Sequence, residues 1–135
     1  MISFNYETDF QLEYEVAFSE WLSKIILAEG KSIGDIDYVF CDDDYLHKIN
    51  VEFLHHDTLT DIISFDYSVG NELHGDIYIS IERVRENAVD FEVDFDEELK
   101  RVIAHGVLHY CGYKDKTVSD SKIMRQKENE AIALF

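Results

Sequence analysis

The chain has 135 residues, 46% of them hydrophobic, which is enough for one domain with a buried core. Its formal net charge of −17 argues against a protein that binds nucleic acid regardless of sequence, because such binding depends mainly on neutralised phosphates. No apolar run approaches the roughly 18 residues of a membrane span, and residues 1–9 lack a basic start. We therefore expect a cytoplasmic protein with no signal peptide and no membrane contact.

Strand-like and helix-like patterns alternate along the chain. Alternating apolar and polar residues predict strands, and apolar residues spaced three and four apart predict helices. The pair Gly70-Asn71 predicts a hairpin between the third and fourth strands. We expect strands over residues 2–6, 36–41, 60–65 and 75–80, and helices over residues 10–28, 43–53, 81–89, 95–111 and 118–135. The interleaving predicts an α+β fold in a single domain, residues 1–135, with a mixed sheet of about four strands covered by about five helices.

Acidic residues stand where two of these helices begin. Residues 42–44 are three consecutive aspartates, which we interpret as helix-capping residues rather than as a metal-binding cluster, because acids favour the first turn of a helix. Asp94, with Glu97 three residues later, predicts a capping box at the start of the fourth helix.

Two histidines on the fourth predicted helix carry the main chemical signal. His105 and His109 are four residues apart, so they project from the same helix face and could bind one metal ion. Gly112 ends the helix, and the reversal can bring Asp115 back beside the pair. Three such ligands leave the fourth tetrahedral position open, as in catalytic zinc sites. Position 106 is glycine, so the glutamate base of H-E-x-x-H proteases is absent and a zinc protease is not expected. Without further support, the pair could equally decorate the helix surface.

Two other groups are candidate contact residues. His55, His56 and Asp57 are adjacent, and neighbouring residues rarely chelate one metal, so a surface loop or a substrate contact is expected there. Five of the twelve basic residues lie between positions 114 and 127. They form either a solvated helix face of mixed charge or a local cationic rim on an acidic protein.

Three motifs resemble those of the YbeY endoribonucleases, bacterial proteins of ribosomal RNA maturation. Residues 105–115 (HGVLHYCGYKD) are similar to the family signature H-G-x-L-H-x-x-G-Y-D-H. Residues 59–65 (LTDIISF) are similar to P-T-D-V-L-S-F, and residues 75–77 (GDI) match G-D-I. Their order and spacing agree with the family.

The resemblance implies a zinc-dependent endoribonuclease that cuts single-stranded RNA with metal-bound water in ribosomal RNA maturation and ribosome quality control. Ribosomal RNA and ribosomal or ribosome-associated proteins are the implied partners. The third histidine of the family is replaced by Asp115, which makes Mn²⁺ or Fe²⁺ alternatives to Zn²⁺. A family arginine is replaced by Leu54, so His55 or His56 would have to hold a phosphate in its place.

Within that family, five further residues are assigned expected roles. Asp61 and Asp76 are expected to orient a ligand histidine or the reacting water, unless they only make turn and strand-end hydrogen bonds. Lys114, Lys116 and Arg125 are expected to contact the RNA backbone. Two other functions stay open. One is a non-catalytic ribosome assembly factor with a structural metal. The other is a non-haem iron protein, because two histidines and a carboxylate also form a facial triad.

Overall fold

The computed structural model describes residues 1–55 and 60–135. Strands and helices alternate through these two ranges, and all five helices and four strands have the order expected from the sequence. The elements are β1 (Ile2–Tyr6), α1 (Glu15–Ala28), β2 (Ser32–Cys41), α2 (Asp43–Leu54), β3 (Ile62–Asp66), β4 (Glu72–Ser80), α3 (Ile81–Asp90), α4 (Phe95–Tyr110) and α5 (Val118–Ala133).

The four strands form one mixed sheet in the order β1-β2-β4-β3. Strands β1, β2 and β4 are parallel, and β3 runs antiparallel to β4 at the edge of the sheet. The α+β class, the mixed four-stranded sheet and the five helices predicted from the sequence are confirmed. No helix within the described ranges is both long and apolar enough to cross a membrane.

The main core lies between one face of the sheet and helices α1 and α4. Ile36 and Ile77 from the sheet pack there with Leu22 of α1 and Ile103 of α4, and all four side chains are fully buried. A smaller cluster around Leu46 lies on the opposite face, under α2. Because helix α4 is the most buried helix, the sheet fixes the position of any side chain that α4 carries.

Small residues and tyrosine hydroxyls set the distance between α4 and the sheet. The Tyr38 hydroxyl donates a hydrogen bond to the Ile103 carbonyl at 2.6 Å, and the Tyr110 hydroxyl donates to the Phe65 carbonyl at 2.9 Å. A Cβ atom at Gly106 would lie 2.9 Å from Cδ1 of Ile77. Gly106, which stands where H-E-x-x-H proteases have their glutamate base, therefore also allows α4 to pack closely on β4.

Several predicted boundaries need correction. Helix α1 begins at Glu15 rather than near residue 10, because Tyr14 adopts a left-handed conformation (φ 60°) and Phe10 packs its ring on Phe40 instead. Strands β2 and β4 begin earlier than predicted, at Ser32 and Glu72, where the two strands pair.

The capping predictions had opposite outcomes. Asp42 caps α2 by accepting a hydrogen bond from the Tyr45 amide at 2.8 Å, as expected. Asp94 precedes α4 as its N-cap, but its side chain makes no capping hydrogen bond, so the predicted capping box is wrong.

Candidate metal centre

The end of helix α4 forms a tight reversal that returns the chain toward the histidines. Gly112 has φ 107°, which side chains rarely tolerate. Its amide donates to the His109 carbonyl at 3.0 Å, and the Tyr113 amide donates to the Leu108 carbonyl at 3.1 Å. These two bonds define a Schellman motif, as expected for a glycine just past a helix. The Ser121 hydroxyl then donates to the Asp115 carbonyl at 2.8 Å, which anchors the returning loop on α5.

The reversal brings His105, His109 and Asp115 together. The two histidine Nε2 atoms are 2.9 Å apart, and Asp115 Oδ2 lies 3.2 Å from the first and 3.3 Å from the second. Ligand atoms around a tetrahedral zinc ion, with bonds near 2.1 Å, lie about 3.4 Å from one another. The three groups are therefore spaced as the ligands of one metal ion would be.

The outer nitrogens of both rings have hydrogen-bond acceptors. His105 Nδ1 lies 2.6 Å from Glu128 Oε2, and His109 Nδ1 lies 2.9 Å from the Tyr113 carbonyl. A carboxylate and a carbonyl can only accept, so each Nδ1 carries the hydrogen and each neutral ring directs the lone pair of Nε2 inward. In the neutral rings, two nitrogen lone pairs and one carboxylate oxygen then converge on the same point. The donor set fits Zn²⁺, and its oxygen also suits Mn²⁺ or Fe²⁺.

Glu128 is a functional candidate that the sequence analysis missed. It lies on α5, only 5% exposed, and its Oε1 accepts a hydrogen bond from Arg101 Nη1 at 3.2 Å. A signal for it was present in the sequence, because Glu128 lies on the same helical face as Met124 and Ala131, both buried. A carboxylate on an otherwise apolar stripe is rarely buried without a partner.

Charges around the histidine pair alter the protonation of two groups. Burial lowers the pKa of His105, but the hydrogen bond to Glu128 and the negative charges of Glu128, Asp115 and Asp61 outweigh it, so the pKa lies above its ordinary value. Burial raises the pKa of Asp61, with the charge of His105 opposing the rise. The amide of Asn87 donates to Asp61 Oδ2 at 3.4 Å. Asp61 thus lines the same cavity as the candidate ligands.

A cavity of about 400 Å³ adjoins the three candidate ligands. Its walls come from the start of β3, the end of α3, and the facing sides of α4 and α5. Asp61, Phe91 and Arg125 line it together with the three ligand residues. The space exceeds that of one metal ion, so the cavity can also hold part of a substrate.

Asp76 is not part of this site. Ile77 and Ile79 of β4 face the main core, so Asp76 lies on the opposite face of the sheet by the alternation of strand side chains. It lines a separate cavity there with Asp35 and Asp37, and burial together with the charge of Asp37 raises its pKa. The expectation that Asp76 orients a ligand histidine needs correction, because of the two aspartates Asp61 lines the cavity with the candidate ligands and Asp76 does not.

Only some of the basic residues expected to contact RNA line the cavity. Arg125 lines it and also lines a neighbouring depression that contains Lys116, while Lys114 is exposed on the intervening loop. His55 ends α2 in a left-handed conformation and is exposed, and it does not line the cavity. His56 lies outside the described residues.

Together, the fold and the site define an α+β protein with a candidate metal centre of two histidines and one carboxylate. A family model described as endoribonuclease YbeY matches residues 2–135. The chain therefore belongs to the endoribonuclease YbeY family, a family of hydrolases.

Individual relatives agree with this assignment. The endoribonuclease YbeY of Flavobacterium johnsoniae is 67% identical over 135 residues, which cover 100% of this chain and 97% of the relative. That of Flavobacterium psychrophilum is 65% identical, with 100% and 96% covered. The solution structure of TM1509 from Thermotoga maritima has a TM-score of 0.72 at 27% identity, covering 99% of this chain and 88% of that one.

Proposed function

We propose that the chain is a zinc-dependent endoribonuclease that cleaves single-stranded RNA in ribosomal RNA maturation and ribosome quality control. Its partners would be ribosomal RNA and ribosomal or ribosome-associated proteins, in the cytoplasm. Family membership supports the nuclease activity. The observation that carries the metal dependence is the convergence of both Nε2 atoms with Asp115 Oδ2, while both Nδ1 atoms are occupied elsewhere.

His105, His109 and Asp115 would hold the ion. When bound, a divalent ion supplies a Lewis acid for a phosphoryl oxygen and lowers the pKa of coordinated water toward neutrality. The cavity adjoins these three residues, so it would give a phosphate and a water access to the ion.

The protein's own residues then bind and orient the substrate. Gly106 has no side chain to act as a base, whereas Asp61 lines the cavity and burial raises its pKa. Asp61 is suited to accept a proton from the attacking water. Arg125 and Lys116 bind the phosphates next to the scissile one, because they line the cavity and the depression beside it.

The charge distribution supports this path for RNA. The chain carries −17 overall, yet five of its twelve basic residues fall between positions 114 and 127. Of these, Arg125 lines the cavity, and Lys116 and Lys122 line the depression beside it. An RNA backbone is repelled by most of the surface and attracted at this rim. RNA affinity should therefore fall as salt is added, with the shallow salt dependence expected for only a few phosphate contacts.

The test is cleavage by purified protein free of contaminating nucleases. Single-stranded RNA and a matching duplex are incubated with protein as purified, after chelation, and after Zn²⁺ is restored. The His109→Ala variant serves as the control for contamination. We expect cleavage of the single strand only, its loss on chelation, and its recovery with Zn²⁺.

The ends of the products identify the nucleophile. An external water leaves a 3′-hydroxyl and a 5′-phosphate, or the reverse, whereas attack by the RNA 2′-hydroxyl leaves a 2′,3′-cyclic phosphate. Cyclic phosphate ends would contradict the water mechanism. Equal cleavage with and without metal would contradict the metal dependence, and absence of cleavage with intact, metal-loaded protein would favour the assembly-factor function.

A further inference from the structure

Phe91 stands at the mouth of the cavity beside the candidate metal centre. It is the C-cap residue of α3, its side chain is 57% exposed, and it lines the cavity that contains His105, His109 and Asp115. No other phenylalanine, tyrosine or tryptophan of the described residues lines that cavity, and none forms a ring contact with Phe91.

The neighbours of Phe91 give the cavity both apolar and polar walls. Ile62 and Val102 supply apolar surface, and Asn87 lies one helical turn before Phe91 on the same side of α3. The Asn87 side chain donates one N–H to Asp61, and its Oδ1 makes no hydrogen bond within the described residues. Phe91, Ile62 and Val102 are thus the apolar part of a cavity whose other lining residues are polar or charged, and the flat face of a base suits such a part.

We infer that this cavity binds a nucleobase, which stacks on the ring of Phe91 next to the scissile phosphate. The inference rests on the proposed function, because it places one nucleoside of the RNA substrate in the space that the metal and phosphate leave. Proteins that bind single-stranded RNA stack unpaired bases on aromatic rings, and a base in a duplex cannot enter such a recess. Stacking on Phe91 thus also explains a preference for single strands.

Because the protein is strongly acidic, a contact that does not depend on phosphate charge contributes a larger share of its RNA affinity. Outside positions 114–127 the chain has seven basic residues among 27 acidic ones, so it cannot bind RNA through a long phosphate track. Stacking is independent of phosphate charge, so it adds affinity that salt does not remove. The amide edge of Asn87, with a spare acceptor and a spare N–H, matches the amino group and N7 of adenine.

Exposed apolar residues are common on protein surfaces, so a matched control is needed. Phe53 of α2 provides it, because it is 63% exposed and does not line the cavity. Its ring contacts Phe65 at 6.1 Å on the other face of the sheet. Removal of the Phe53 ring should therefore cost nothing in RNA binding if the effect of Phe91 is local.

The experiment is an abasic scan with no cleavage step. The probe is an eight-nucleotide oligoadenylate with phosphorothioate linkages, labelled with fluorescein and checked for integrity on a gel after each measurement. Each adenosine is replaced in turn by an abasic nucleotide. Binding to the metal-loaded full chain, and to the Phe91→Ala, Phe91→Trp and Phe53→Ala variants, is measured by fluorescence anisotropy.

We expect one abasic position to weaken wild-type binding about five- to a hundredfold, the range for one stacked base. The Phe91→Ala variant should bind the intact probe more weakly by a similar factor. Its affinity should fall less than about twofold further for the probe that is abasic at that position, because the ring on which the base stacks is already absent. The Phe91→Trp and Phe53→Ala variants should keep the wild-type pattern. Circular dichroism checks that each variant is folded.

Two results would overturn the inference. One is equal binding of the intact probe by wild type and Phe91→Ala. The other is an abasic penalty that stays the same in Phe91→Ala, which would place the base elsewhere. Failure of the proposed function is a separate result, because it shows as absent cleavage of unmodified RNA by a protein whose abasic scan is unaffected.

Discussion

Replacement of Glu128 by glutamine tests how the buried carboxylate supports the metal site. In the native chain, Glu128 Oε2 accepts the Nδ1 hydrogen of His105 at 2.6 Å, which leaves Nε2 free to bind metal. A glutamine has the same size but can turn its amide and donate to Nδ1 instead. The ring hydrogen then moves to Nε2, where it opposes the metal.

The expected loss follows from these contacts. Substitution of such an outer partner typically weakens metal affinity 10- to 100-fold, or about 1.4–2.7 kcal/mol. We expect the upper part of this range for Glu128→Gln. The carboxylate is 5% exposed, and Arg101 Nη1 bonds its other oxygen at 3.2 Å, so the lost charge is not replaced by solvent.

The assay is a Zn²⁺ competition titration of metal-free protein against a chromophoric chelator. Glu130→Gln is the matched control, because Glu130 lies on the same helix and its exposed side chain pairs with Lys127 rather than with a histidine. Circular dichroism and urea unfolding confirm that both variants are folded. A Glu128→Gln affinity within about twofold of the wild type and of Glu130→Gln would refute the orienting role.

Three further outcomes are expected. Gly75→Ala should lower the free energy of unfolding in urea by about 3 kcal/mol, because the new Cβ would lie 2.5 Å from the Phe65 carbonyl oxygen. Gly30→Ala has open space around it and should cost only about 1 kcal/mol, because of its positive φ. Equal losses would contradict the packing argument. Burial raises the pKa of Asp43, but the hydrogen bonds from Arg83 and Ser80 and the charge of Arg83 together outweigh it, so the pKa lies below the ordinary 3.8. The stability from this pair is therefore present above pH 3.8 and lost as the pH falls through the lowered pKa of the folded state. Asp43→Asn should be less stable than the wild type at pH 7 and should lose less stability between pH 4 and pH 2. Urea midpoints of the two proteins that fall in parallel with pH would contradict this. Chelation should leave the helical signal and cooperative unfolding intact, because the main core is built without the site; unfolding on chelation would indicate a structural metal.

The local part of the site could be read from the sequence because its geometry is short-range. Two histidines on one helix turn, a glycine just past the helix end and a carboxylate three residues later are fixed by helix geometry and the Schellman motif. The order of strands and helices was also readable from periodicity.

The rest of the site depends on contacts between distant parts of the chain. Glu128 reaches His105 only because α5 packs on α4, and Phe91 joins the cavity only because α3 ends beside it. Asp76 was misplaced because a motif match gives the residue and not the face of the strand. The alternation with Ile77, which faces the core, places Asp76 on the other face.

The metal content of the dialysed chain bears most directly on the three-residue site. It is measured by plasma mass spectrometry for the wild type and for His105→Ala, His109→Ala and Asp115→Ala, each checked for folding. We expect about one divalent ion per wild-type chain and near-complete loss in each variant, because two remaining ligands seldom hold zinc. Full occupancy in Asp115→Ala would contradict the carboxylate ligand, and full occupancy in either histidine variant would contradict the site itself.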